Sequence, residues 1–410
     1  MKNDFNVKIA TELDSLRSDG TYKQFKTNLG PLSGTIAVEG YGDEIVLCSN
    51  NYLGLANKRE VVDAAHDALE RYGAGTSSVR FICGTYDIHQ VLEEKTAAFL
   101  GMESALTYSS CWAANTACIP ALLEYGDAVI SDELNHASII DGCRATGKGV
   151  TRVVFRHSDM EDLESQLIRT RDCGTVLVVT DGVFSMEGYI ARLPEMIELC
   201  QKYNALLMVD ESHSTGVLGE TGRGTMEHYG ITSGVDIISG TYGKALGGAG
   251  GGFIAASANV CDMLRQRSRP HLFSNSLSPV LCAIALASIE YLEMHPEIVG
   301  SLRGKTEYCR NKVKGSGLDP LEGESAIIPI IIGDTAKAIA ISEAAMEEGV
   351  FTIGFGYPVV PQGTARIRLQ ISEALSFEQL DTASDVLAEA MNTINTIAKT
   401  PEERTKHADI

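Results

Sequence analysis

A single lysine, Lys244, stands in GTYGKALGGAGGGF, residues 240–253, where almost every neighbour lacks a sizeable side chain. An amine so placed can reach a carbonyl, and the glycines allow backbone and ligand to approach it closely. Three chemistries use a lysine among glycines: phosphate cradling, dinucleotide binding and Schiff-base formation. A P-loop requires a glycine five residues before the Gly–Lys pair and Ser or Thr after the lysine; those positions hold Ile238 and Ala245. A dinucleotide fingerprint requires its glycines to open the helix of a βαβ unit with an acidic residue on the next strand, and no clear helix follows these. A Schiff-base lysine remains, set against a solvated lysine on a flexible turn, the ordinary fate of an isolated Gly–Lys pair.

Other residues shift that balance. ALLMVD, 205–210, ends in Asp210 at the carboxyl edge of a buried strand, where ligands of open α/β sheets bind. A carboxylate there can hold a pyridine nitrogen protonated, which is what makes pyridoxal phosphate (PLP) an electron sink; alone, it could equally cap the following turn. YSSCWAAN, 108–115, follows a strand and opens a helix, and the free N–H groups of a helix start suit a phosphate, though Ser109 and Ser110 could be plain N-caps. His136 follows the run 128–131; an imidazole there can stack on a pyridine ring or be merely hydrogen-bonded structure. TDGVFSMEG, 180–188, begins where another strand ends. Four strand ends carrying polar residues, together with Lys244, describe one site better than they describe a sheet alone.

These residues need a scaffold that brings strand ends together, and the patterning supplies one. Apolar runs at 104–108, 128–131, 175–180, 205–210 and 236–241 alternate with helical stretches at 58–72, 88–99, 111–123 and 193–203. Continuous apolar strands joined by helices predict a mostly parallel sheet covered on both faces. From about 295 the pattern changes to helices at 297–314, 336–348 and 377–398 with strands at 327–331 and 365–370, and Ser376 with Gln379 forms a capping box before the last helix. Phe5, Ile9, Leu13 and Leu16, followed by Gly20, mark an amphipathic arm helix. The expected organisation is an arm at 1–55, a large α/β domain at 56–294, a smaller α+β domain at 295–398 and a loosely held polar tail at 399–410.

Composition narrows the functions. A net charge of −20 over 410 residues opposes nonspecific binding to nucleic acid or anionic membrane. Ten cysteines stand singly with no CxxC pair, which fits reduced thiols better than disulfides or a metal site. The N-terminus has no apolar signal region, and the aliphatic run at 327–332 is too short to span a bilayer. A cytoplasmic enzyme with no metal is expected.

The segments CSNNYLGLA (48–56), VRFICGT (79–85), SDELNHASIIDG, TDGVFSMEG, VDESHSTGVLGETGRG, GTYGKALGGAGG and RSRPHLFSNSLSP (267–279) resemble the α-oxoamine synthases, fold-type-I PLP enzymes that join an amino acid to an acyl-CoA thioester. The resemblance runs from about 40 to 398, and GFGYPVVPQGTARIRLQIS (354–372) is most similar to the branch that couples glycine with acetyl-CoA. It implies Lys244 as the Schiff-base lysine, Asp210 on the pyridine nitrogen, His213 and Ser185 at the ring's phenolic oxygen, and His136 stacked on the ring. Cys111 and Trp112 would offer backbone N–H groups to the phosphate, Thr241 its hydroxyl, and Ser274 would come from the other protomer of a homodimer. Asn50 and Arg368 would hold the amino-acid carboxylate. The implied reaction makes 2-amino-3-oxobutanoate and CoA, reversibly, in glycine and threonine metabolism; the alternative is a sister synthase using another small amino acid or a longer acyl-CoA with loss of CO2.

Some positions depart from that branch: Trp112-Ala113-Ala114-Asn115 replaces Phe-Asp-Ala-Asn, His271 replaces a tyrosine, and Gly356 replaces an aromatic. Gly356 is expected to open space for a larger side chain or acyl group. Arg265, Arg267 and Arg269 could serve CoA or PLP phosphates, or simply face water at a helix end.

Overall fold

The apolar runs meet in one central sheet. In the computed structural model, which describes residues 2–398, seven strands lie side by side in the order Ser104–Tyr108, Gly252–Ala256, Ile237–Thr241, Leu206–Asp210, Val176–Asp181, Ala128–Asp132, Thr151–Phe155. The last five are parallel, whereas Gly252–Ala256 runs antiparallel to both its neighbours. The tail expected at 399–410 lies outside the described residues.

Burial explains which strands are legible in the sequence. Ala128–Asp132 and Val176–Asp181 are buried at every position, as strands covered on both faces must be. Thr151–Phe155 is an edge strand with one buried residue, so it makes no apolar run. Gly252–Ala256 is wholly buried but begins inside the glycine stretch, which hides it. The core beneath the sheet joins Leu106, Val129, Leu177, Met208, Ile237 and Ile254 to Ala114, Ala117 and Ile119 of the helix Cys111–Leu122, each fully buried aliphatic side chain contributing about 1.5–3 kcal/mol.

The described residues form two compact units: Asn50–Arg303, which holds this sheet, and the residues before Asn50 together with those from Gly304 on. In the second unit Ile327–Gly333, Ala365–Gln370 and Gly354–Phe355 form one antiparallel sheet, and Thr35–Val38, Gly42–Val46 and Val350–Phe351 form a mixed one, in which Val350–Phe351 runs parallel to Gly42–Val46. Its last helix, Phe377–Ala398, opens with a reciprocal capping box: Gln379 N–H donates to Ser376 Oγ at 3.1 Å and Ser376 N–H to Gln379 Oε1 at 2.8 Å. The arm forms the helix Lys2–Ser18, and Gly20 follows with φ of 66°. Among the described residues no helix is long and apolar enough to cross a membrane.

Part of the glycine stretch answers to packing. Gly240 pairs across the sheet with Phe253, whose ring occupies the space a Cβ would take. Gly240→Ala is therefore expected to cost about 1–3 kcal/mol by overpacking, read as a lower urea midpoint; an unchanged midpoint would show that the ring moves aside freely.

Candidate active site

The parallel register sets Asp181 beside Asp210 and Asp210 beside Ser239, all at the carboxyl ends of their strands. Asp210 is 4% exposed, so its oxygens depend on protein donors. Oδ1 accepts from the Ser212 N–H at 2.9 Å, and Oδ2 accepts from Asn115 Nδ2 at 2.6 Å and from the Cys111 thiol at 3.6 Å. Asp181, equally buried, accepts the His136 backbone N–H at 2.9 Å. Burial first, and the neighbouring Asp210 second, push the Asp181 carboxyl well above the usual carboxylate range.

Lys244 sits on the loop between Ile237–Thr241 and Gly252–Ala256, with Nζ 2.8 Å from His213 Nε2. On its other side His213 Nδ1 lies 2.8 Å from the hydroxyl of Tyr52, a fully buried side chain set edge-on to the imidazole. The Thr241 hydroxyl accepts the Gly243 N–H and donates to Gly251 O, both at 3.0 Å, which shapes the turn before the lysine. Its proton is thus committed, and holding a phosphate requires it to turn. Gly251 has φ of 99°, where a side chain is strained. A Cβ on Gly252 would strike the backbone of Ser110 and Cys111, so these glycines let the Lys244 loop lie against the start of the helix Cys111–Leu122.

That helix is capped by Ser110, whose Oγ accepts the Ala113 N–H at 3.1 Å. The Cys111 and Trp112 N–H groups have no acceptor within the helix and stand at its positive end. Trp112, 46% exposed, meets His136 edge-on at 5.8 Å between ring centroids. His136 is open to solvent on one side, yet the surrounding protein lowers its pKa, against the opposing pull of Asp210.

Cys111, Trp112, His136, Ser185, Asp210, His213, Thr241 and Lys244 line one cavity of about 200 Å³, with Ser138 and Asp181. The donor set suits a phosphorylated aldehyde with a basic ring nitrogen: a helix start for the phosphate, an amine for the aldehyde, a buried carboxylate for the nitrogen. Asn50 and Ser274 are not part of that lining; Ser274 is exposed just after the short helix Arg269–Phe273. Arg368 belongs to the other unit, on Ala365–Gln370, where Nη2 donates to Gln370 Oε1 at 2.7 Å and the guanidinium lies over the Phe355 ring. Of the three arginines near 267 none lines the cavity, and Arg265 pairs with Asp262 at 2.5 Å.

Two departures from the expected pattern resolve structurally. At Gly356 the position a Cβ would occupy is filled by Thr335, so the place of the missing side chain is not itself open. His271 is 7% exposed against Tyr108, and burial pushes its pKa down to about 4, so it stands as a neutral ring. Tyr52, Asn115, Ser138 and Asp181 carry site contacts that sequence reasoning left without a role. Three of them were within its reach, since Asn115 lies one helical turn after Cys111, Ser138 two residues after His136, and Asp181 ends a strand.

Known proteins are similar to this chain in sequence and fold. The model of the family described as aminotransferase class I and II matches residues 42–387. The chain is 44% identical to a 2-amino-3-ketobutyrate coenzyme A ligase of Salmonella typhimurium, over 97% of this chain and 100% of that one. It is 42% identical to an 8-amino-7-oxononanoate synthase of Thermosipho melanesiensis, over 93% and 96%. A solved serine palmitoyltransferase from S. paucimobilis with a bound PLP–myriocin aldimine matches with a TM-score of 0.89 at 30% identity, covering 96% of this chain and 99% of that one.

Burial, ahead of the nearby Asp210 charge, raises the Cys111 thiol well above its ordinary pKa, so almost none of it is thiolate at about pH 8. Iodoacetamide at that pH should therefore leave Cys111 unmodified in the folded protein and label it in urea, as read by peptide mass spectrometry. Rapid labelling of the folded chain would contradict the buried geometry.

Proposed function

We propose a reaction from one premise: the chain belongs to the aminotransferase class I and II family. It is a PLP-dependent acyltransferase that joins glycine to acetyl-CoA, giving 2-amino-3-oxobutanoate and CoA, and that runs the same exchange backwards. A carbon–carbon bond forms at the glycine Cα as the thioester C–S bond breaks, and CoA leaves as the thiol. Identity of 44% across the full length of a ligase of that name supports the substrate pair. Within the molecule, the reading rests on the approach of Lys244 Nζ to His213 on the same sheet edge as the buried Asp210.

When bound, PLP supplies an aldehyde and a ring that takes up the electron pair left by a departing Cα proton. Lys244 Nζ would hold the aldehyde and, as a free amine, would be the base that takes the Cα proton. Asp210 would meet the ring nitrogen and keep a proton there. His213, backed by Tyr52, would serve the phenolic oxygen together with Ser185, and His136 would stack on the ring. The N–H groups of Cys111 and Trp112 would hold the phosphate with the Thr241 hydroxyl, joined by Ser274 of the partner subunit in a cytoplasmic homodimer. Asn50 and Arg368 hold the substrate carboxylate, the guanidinium through its planar fork.

A second reading, a sister synthase that releases CO2, is favoured by the 42% identity to an 8-amino-7-oxononanoate synthase. Purified protein loaded with PLP and offered glycine, alanine and serine against acetyl-, propionyl- and long-chain acyl-CoA separates the two. Glycine with acetyl-CoA should give the highest kcat/KM, without CO2; a clear preference for alanine or serine would reject the acetyltransferase assignment. Lys244→Ala should abolish borohydride trapping of PLP and lower kcat by at least about a thousandfold.

A further inference from the structure

We propose that Asn115 and Ser138 are positioning residues that fix the imidazole of His136: a chain of hydrogen bonds, anchored on Asp210, leaves Nδ1 without a proton and puts the ring proton on Nε2. The proposal rests on the roles given above to Asp210 and His136.

The direction of the chain follows from what each group can give. The Ser138 backbone N–H donates to His136 Nδ1 at 3.2 Å, and an amide N–H can only donate, so Nδ1 presents its lone pair. The Ser138 hydroxyl, 2.8 Å from the same nitrogen, must then donate to it as well. Its oxygen is left to accept Asn115 Nδ2 at 2.9 Å. The second hydrogen of Nδ2 goes to Asp210 Oδ2 at 2.6 Å. Turning the amide over would set its oxygen against the carboxylate oxygen at that distance, so Asp210 selects the amide orientation. The result costs the fold something: Asn115 Oδ1 is buried with no hydrogen-bond partner among the described residues. A buried amide that donates twice from one end while its other end stays unpartnered calls for an explanation, and serving Asp210 and Ser138 together supplies one.

The consequence is a ring held in plane by two donors from a single residue, with one hydrogen to give, at Nε2. Asn115 and Ser138 are 0% and 1% exposed, so water does not compete for these contacts. The lowered pKa of His136 favours the same neutral ring. A stacking imidazole needs its plane fixed before the ligand arrives, and the chain of hydrogen bonds ties that plane to the Asp210 carboxylate.

The test uses the full-length protein without PLP, labelled with 15N-histidine, and two-bond 1H–15N spectra in which the His136 signals are those lost in His136→Gln. Wild type should show an unprotonated Nδ1 and a protonated Nε2; a proton on Nδ1, or an equal mixture, overturns the proposal. Ser138→Ala should move both shifts toward a mixture and weaken PLP binding roughly tenfold, measured by fluorescence quenching, while Ser138→Thr restores both. Unchanged shifts and affinity in Ser138→Ala overturn it too. Asn115→Leu should reproduce the alanine effect at Nδ1; if either variant fails to fold, the wild-type spectrum alone decides. Failure of the PLP reading is seen separately, as absence of borohydride-trapped PLP on Lys244 in wild type, and the apoprotein spectrum still decides for or against the chain of donors.

Discussion

A carboxylate removed from water must be met by donors, and at the end of Leu206–Asp210 that requirement organises the surroundings. Asp210 draws a backbone N–H from Ser212, an amide from Asn115 and a thiol from Cys111. Two of these donors belong to the helix Cys111–Leu122, so satisfying the carboxylate also fixes where the helix begins. That start is the positive end of a helix dipole, and it lies against the loop carrying Lys244 because Gly252 has no side chain to hold them apart. The carboxylate, the helix start and the amine are thus placed by one set of contacts.

The neighbouring strand adds a second buried acid, and the two differ in company. Asp181 faces Asp210 across the parallel register and spends an oxygen on the His136 backbone N–H. Burial beside another acid favours its protonated form, which spares the site a second negative charge. His136 is consequently gripped at two places, its N–H by Asp181 and its Nδ1 by Ser138. His213 is gripped likewise between Tyr52 and Lys244. His136 enters the cavity with Nδ1 engaged and His213 with both ring nitrogens engaged, the arrangement by which proteins orient such rings before a ligand binds.

Departures from a family pattern invite substrate-based explanations, and here local packing answers one of them first. The absent side chain at 356 is replaced in space by Thr335, so residue volume is exchanged within one unit.

The sequence by itself determined the strands that are buried on both faces, the capping box at Ser376 and Gln379, and the residues of the site that end strands or open a helix. These signals are local: an apolar run, a turn residue, a polar side chain at a strand's carboxyl end. It also singled out Lys244 among its glycines beside Asp210 and His213, and these three line one cavity. Only the tertiary structure decided that Gly252–Ala256 is an antiparallel strand, that Thr151–Phe155 closes the sheet, and that Asn115 and Ser138 join Asp210 to His136. The last of these depends on groups 23 and 95 positions apart in the chain, and no local pattern records the distance between two strands before the sheet has formed.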